Sequence, residues 1–151
     1  MKANTRLFGE IEVNDDKIII LANGLVGFPD MKKFTLIFDE EKEDGGNIMW
    51  LQSLDETNFV MPVMVPNYLV PDYNPTVNDD MLGPLGEITE ENLYVLVTVR
   101  VPSDPKQATI NLKAPIIINS DTCMGNQIIV EDDQPVRYPI YEAIQNIKGG
   151  E

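Results

Sequence analysis

The stretch Ala108 to Val130, ATINLKAPIIINSDTCMGNQIIV, decides the fold class of this chain, because it sets two β-branched blocks on either side of turn-forming residues. Ile110 and Leu112 alternate with Asn111 and Lys113, Ile116 to Ile118 form a continuous apolar block, and Gly125-Asn126 precedes a second block, Gln127 to Val130. Apolar runs bounded in this way predict a β-hairpin. Pro115 cannot donate to a ladder, so it puts the first strand at a sheet edge or at a bulge. A bend at that point helps a sheet curl towards a barrel.

Working outward, the same signals recur. Leu93 to Val101 is the most β-rich run and predicts a central strand. Lys33 to Phe38, Ile48 to Gln52 and Phe59 to Val65 predict three more, with Trp50 and Leu51 expected in the core. At the start of the chain, Arg6 to Val13 alternates in strand period, Asn14-Asp15-Asp16 is a polar turn, and Lys17 to Ala22 reads as the partner strand of a hairpin. Gly24 and Gly27 bracket a tight connection whose apolar residues are expected under the sheet. Pro66, Pro71, Pro75 and Pro84 rule out a long helix or central strand between them. Asn78 to Leu82 is expected to form one helical turn, and Pro139 to Ile147 a short terminal helix. These elements predict an all-β fold: a small antiparallel β-barrel-like or partly open sandwich domain, with short helices in the Pro66 to Gly86 segment and near the C-terminus. One domain over residues 1–151 is expected, since 151 residues bury a sizeable core without staples.

Composition narrows the function. The chain carries 25 acidic and 11 basic side chains, a formal net charge of −14. Direct nucleic-acid binding is disfavoured, because phosphate contacts by Lys and Arg supply most of that affinity. A basic protein is the more natural partner. No apolar run approaches the ~20 residues that span a bilayer, and no secretory signal follows Lys2, so a cytoplasmic protein without membrane contact is expected. With no histidine and one cysteine, the chain cannot build a Ser-His-Asp triad, a Cys-His pair or an ordinary zinc site. The acidic loop from Asp39 to Asn47 fails the calcium-loop spacing, since Asp44 falls at the glycine position and Trp50 at the final carboxylate position. No metal or cofactor is expected. Paired acids at Asp15-Asp16, Asp79-Asp80, Glu90-Glu91 and Asp132-Asp133 leave a carboxylate-dependent hydrolase as one alternative, and a small-ligand-binding barrel as another.

The string from Asn111 to Asn119, NLKAPIIIN, followed by Gln127-Ile-Ile, resembles the C-terminal signature of the flagellar assembly factor FliW family. Phe8-Gly-Glu-Ile-Glu-Val13, Gly24-Leu-Val-Gly-Phe28, Trp50-Leu-Gln-Ser53, Phe59-Val60 before Pro66, and Tyr73 agree in order, so the likeness covers roughly residues 5–140. The chain departs from the family pattern at Asn67, which follows Pro66 where an acidic residue before that proline is expected, and at Tyr138-Pro139-Ile140, where a basic, His-containing triplet is usual. The resemblance implies a β-barrel-like domain and a non-enzymatic protein that binds flagellin. It also implies that, when flagellin is scarce, the protein binds the RNA-binding regulator CsrA and releases its messenger targets. A monomer is expected. The candidate partner-binding residues are Tyr68, Tyr73 and Met81, which offer apolar contacts on the proline-rich segment, together with Asn111, Pro115 and Asn119 of the motif. The last three have an alternative role in the geometry of the hairpin.

Overall fold

The computed structural model describes residues 2–6, 8–38, 48–75, 77, 82–89 and 91–141. In chain order the first strands are β1 (Lys2–Thr5), β2 (Gly9–Glu12), β3 (Ile19–Leu21), β4 (Lys33–Phe38), β5 (Ile48–Ser53) and β6 (Val60–Met64). They are followed by β7 (Leu93–Arg100), β8 (Thr109–Ile110), β9 (Ile116–Asn119), β10 (Met124–Gln127) and β11 (Tyr138–Pro139). The runs rich in β-branched and aromatic residues thus become β4 to β7, as their composition predicts.

The sheet runs β7-β6-β5-β4-β3-β10-β9, and β9 pairs with β7 again, so seven strands close into a barrel. Closure gives each strand of the ring a partner on both sides over at least part of its length. Every neighbouring pair in the ring is antiparallel except β3 and β10, which run parallel. At its far end β7 turns aside to pair with β8, and β8 pairs with β11.

The hairpin of the 108–130 stretch is β9 and β10, and its pairing continues beyond the regular strands. The Ile128 amide donates to the Pro115 carbonyl at 3.0 Å and the Val130 amide to the Lys113 carbonyl at 2.9 Å. Pro115 has no N–H to return, which is why the ladder is one-sided there. Gly125 and Asn126 lie inside β10 and do not form the turn. A Cβ on Gly125 would stand 2.9 Å from Leu21 Cδ2 and 3.1 Å from the Ile117 carbonyl, so glycine is required by the close approach of β3 and β9.

The N-terminal pairing also differs from expectation. Phe8 donates its amide to Thr5 Oγ1 at 3.0 Å, and that hydroxyl donates to the Gly9 carbonyl at 2.8 Å. These bonds fix a turn between β1 and β2, so β2 pairs with β1 as a separate two-stranded sheet. Asp15–Lys17 forms a 3-10 turn leading into β3, whose own partners are β4 and β10.

Side-chain alternation splits the core. Ile116 and Ile118 of β9 point into the barrel with Leu21, Phe34, Leu51, Val63 and Leu96. Ile117 points outward, where Leu85, Ile128 and Val130 cover it. Likewise Val97 and Val99 of β7 are roofed by Leu69, Tyr73 and Leu112. Trp50 is only half-buried, outside the barrel, with its ring edge-on to Phe8 at 6.2 Å; Met49 and Leu51 supply the inward contacts of β5. In the Gly24–Phe28 connection Leu25 is buried, whereas Val26 and Phe28 are exposed.

Among the described residues of the proline-rich segment, 3-10 turns form at Pro66–Tyr68 and Gly83–Leu85, and Leu82 is α-helical. Of the turn expected over Asn78 to Leu82, residues 78–81 lie outside the described residues. Of the expected C-terminal helix, Pro139 belongs instead to β11, Ile140 and Tyr141 are helical, and residues 142–147 lie outside the described residues. No helix among the described residues is long and apolar enough to cross a membrane.

Candidate functional site

Pro66 opens its 3-10 turn with φ already set for it, and its carbonyl accepts the amides of Leu69 at 3.1 Å and Val70 at 2.9 Å. Tyr68 is the last residue of that turn. The chain then reverses, and Asn67 Nδ2 donates to the Tyr73 carbonyl at 3.1 Å. The tyrosine itself turns inward: Tyr73 is 6% exposed and its hydroxyl donates to the Leu112 carbonyl at 2.6 Å. Burial, reinforced by nearby Asp132, pushes the phenol up to about 12. Tyr73 therefore sits in the core beneath the segment, packed with Leu69, where the sequence suggested an exposed contact. Met81 lies outside the described residues.

The motif asparagines hold backbone. Asn111 Oδ1 accepts the amides of Lys113 at 3.0 Å and Ala114 at 3.2 Å, closing a local turn. Asn119 is fully buried and uses both ends of its amide. Its Nδ2 donates to the carbonyls of Leu85 at 2.8 Å and Glu87 at 3.2 Å, while Oδ1 accepts the amides of Asp121 at 2.9 Å and Thr122 at 3.4 Å. Pro115 is buried as well. Pro115 and Asn119 thus lie on the β9–β10 hairpin, and Asn111 lies just before it, beside Leu112, whose carbonyl Tyr73 holds.

A cleft that no sequence motif marked opens beside β4. It measures about 750 Å³ and lies between the end of β2 (Ile11, Glu12) and β4 (Thr35, Leu36, Ile37), over Tyr94 and Ile118. A second, more polar cleft of about 660 Å³ adjoins it, with Asp15, Asp16 and Asp121 facing Lys17 and Lys33. Tyr94 donates its hydroxyl to Met49 Sδ at 3.4 Å, and burial raises its pKa. Cys123, in the left-handed region at φ 58°, donates its thiol to the Asp16 carbonyl at 3.3 Å. In the sequence this region shows as Asn14-Asp15-Asp16, which reads as a polar turn, followed by Lys17 at the start of an expected strand. Among the described residues no group of three or more His, Cys, Asp or Glu side chains is placed to hold a metal ion.

Known proteins agree with this architecture. The chain is 46% identical over 143 residues to the flagellar assembly factor FliW of Lachnoclostridium phytofermentans, covering 94% of this chain and 92% of that one. It is also 46% identical over 147 residues to the factor of the same name from Lachnospira eligens, covering 96% and 97%. A crystal structure of the flagellar assembly factor FliW superposes with a TM-score of 0.83 at 25% identity, over 93% of this chain and 97% of that one. The family model described as FliW protein matches residues 2–140, and the chain belongs to the FliW family.

Proposed function

We propose that this protein is a cytoplasmic, non-enzymatic assembly factor that binds flagellin and, when free of it, binds and antagonises the RNA-binding regulator CsrA. Flagellin synthesis is thereby coupled to filament assembly. The observation that carries this reading is family membership over nearly the whole chain, in relatives named as flagellar assembly factors. Charge supports it: a protein of net charge −14 suits a basic, RNA-binding partner and repels RNA itself. The contact surface is proposed to include Tyr68 and Met81 of the proline-rich segment. Tyr73, Asn111, Pro115 and Asn119 are proposed to contribute through the backbone they hold, Tyr73 by tying the proline-rich segment to Leu112 and the asparagines by fixing the loops around the motif.

The test is reconstitution. Purified protein mixed with purified flagellin, or with CsrA loaded with a labelled target RNA, is expected to give a stoichiometric complex by light scattering in each case. RNA release should accompany the second, and added flagellin should reverse it. Absence of both complexes overturns the reading.

A further inference from the structure

We propose that the cleft beside β4 is a strand-acceptor site, which takes an extended apolar and basic peptide segment of a partner by β-addition. The inference goes beyond the function above: it concerns a different surface and a mode of binding, and it holds whichever protein supplies the segment.

The backbone of β4 carries the argument. Leu21 donates its amide to the Lys32 carbonyl at 2.8 Å, and Leu54 donates its amide to the Lys33 carbonyl at 2.8 Å. In an antiparallel ladder this direction alternates residue by residue. Phe34 and Leu36 therefore aim their peptide groups towards the β3 side, and Thr35 and Ile37 towards β5. But β3 begins at Ile19, opposite Phe34. One further contact follows, from Thr35 Oγ1 to the Lys17 carbonyl at 3.2 Å. Beyond it, among the described residues, no strand pairs with β4 on that side. The N–H and C=O of Leu36 thus face the cleft that Leu36 helps to line.

The opposite wall is a second strand paired on one side only, since β2 has β1 as its one strand partner among the described residues. Between the walls lie Ile19, Tyr94 and Ile118, an apolar floor. An open backbone edge above an apolar floor is what β-addition needs: main-chain hydrogen bonds along the edge, with every second side chain directed inward. The rim selects the remaining side chains. Glu12, Asp15, Asp16 and Asp121 outnumber Lys17 and Lys33 around the two joined clefts, on a chain of net charge −14. Basic residues at the outward positions are favoured, and an acidic segment or a second copy of this chain is repelled.

The probe is a synthetic peptide of alternating lysine and valine, about seven residues long. Its comparators are the glutamate-valine peptide and two analogues N-methylated at the valines or at the lysines. Binding is read by fluorescence anisotropy, and the contact by amide hydrogen exchange. The lysine peptide is expected to bind and to slow exchange at Leu36. One of the two N-methylated analogues should bind about tenfold more weakly, having lost the donors that face β4. The double variant Glu12→Lys, Asp16→Lys, altered at two exposed positions, should weaken the lysine peptide and favour the glutamate one. Absence of binding, equal binding of parent and both N-methylated analogues, equal binding of the glutamate peptide, or slowed exchange confined to other strands would each overturn the proposal.

Discussion

The hydroxyl of Tyr73 reaches the carbonyl of Leu112 at 2.6 Å across a sequence separation of 39, and so fastens the proline-rich segment to the start of the FliW motif stretch. Both residues are buried on the outer face of β7. Tyr73→Phe keeps the ring and loses the bond, and it should cost about 1–2 kcal/mol in urea denaturation. Tyr73→Ala also opens a cavity and should cost about 3–5 kcal/mol.

The same bond gives a pH signature. The phenol titrates near 12 in the folded protein and near its ordinary 10 when unfolded. Between those values the unfolded chain has lost a proton that the folded chain keeps. Stability from this group is therefore complete below pH 10 and is lost as pH rises towards 12. Denaturation at pH 9 and at pH 11.5 should show a smaller loss for Tyr73→Phe than for the native protein.

Asn119→Asp should be more damaging than its similar shape suggests. Nδ2 faces two carbonyls, of Leu85 and Glu87, and a carboxylate there meets only acceptors inside a buried site. The loss should be about 2–4 kcal/mol, read from the shift in the urea midpoint. Equal stability of Asn119→Asp and the native chain would show that the hairpin tolerates a free Leu85 loop.

Gly24→Ala tests the other family string, Gly24-Leu-Val-Gly-Phe28. Gly24 sits at φ +70°, and a Cβ there would lie 2.6 Å from the carbonyl oxygens of both Phe28 and Pro29. Backbone atoms cannot yield as a flexible side chain does. A loss of at least about 2 kcal/mol is expected, visible as a fall in Tm.

Under the proposed antagonism of CsrA, charge neutralisation separates two ways of releasing its RNA. Glu131 and Asp133 are exposed on the segment that follows Val130, so neutralising them leaves the core intact. Fixed charges act over about 8 Å at physiological ionic strength, which lets them repel a phosphate backbone without overlapping its site. Glu131→Gln with Asp133→Asn should bind CsrA normally and release less RNA at equal occupancy, measured by anisotropy. Unchanged release would point to occlusion or to a conformational change in CsrA. The expected acidic counterpart from Asp39 to Asp44 lies outside the described residues.

Strand positions were legible wherever local composition decides them: β4 coincides with its expected span from Lys33 to Phe38, and β7 with all but the last residue of its own. Pairings were less legible, because they depend on partners remote in sequence. Arg6 to Val13 alternates well enough to suggest one strand, yet the Thr5 hydroxyl and Gly9 break it into a turn and β2. Gly125 reads as a turn residue until β3 and β9 are seen to press on it from both sides. Asn111 and Asn119 were visible as a motif and as candidates for side-chain hydrogen bonds, but their acceptors and donors were not. The cleft beside β4 was invisible, since it arises where β3 begins two residues short of Leu36, a matter of register that no single segment records.

Ring closure by β7 and β9 has a consequence for how the chain is made. Leu93 pairs with Asn119 and Leu96 with Ile116, while the parallel partner of β3 is not complete until Gln127. On the ribosome, β3 to β7 emerge first as an open sheet with both flanks bare, and the strands that seal it come last. Until then the nascent sheet presents the unpaired edges that invite association with other chains. The β9–β10 hairpin is thus the latch of the barrel, and a chain released before Ile116 lacks the segment that would close it.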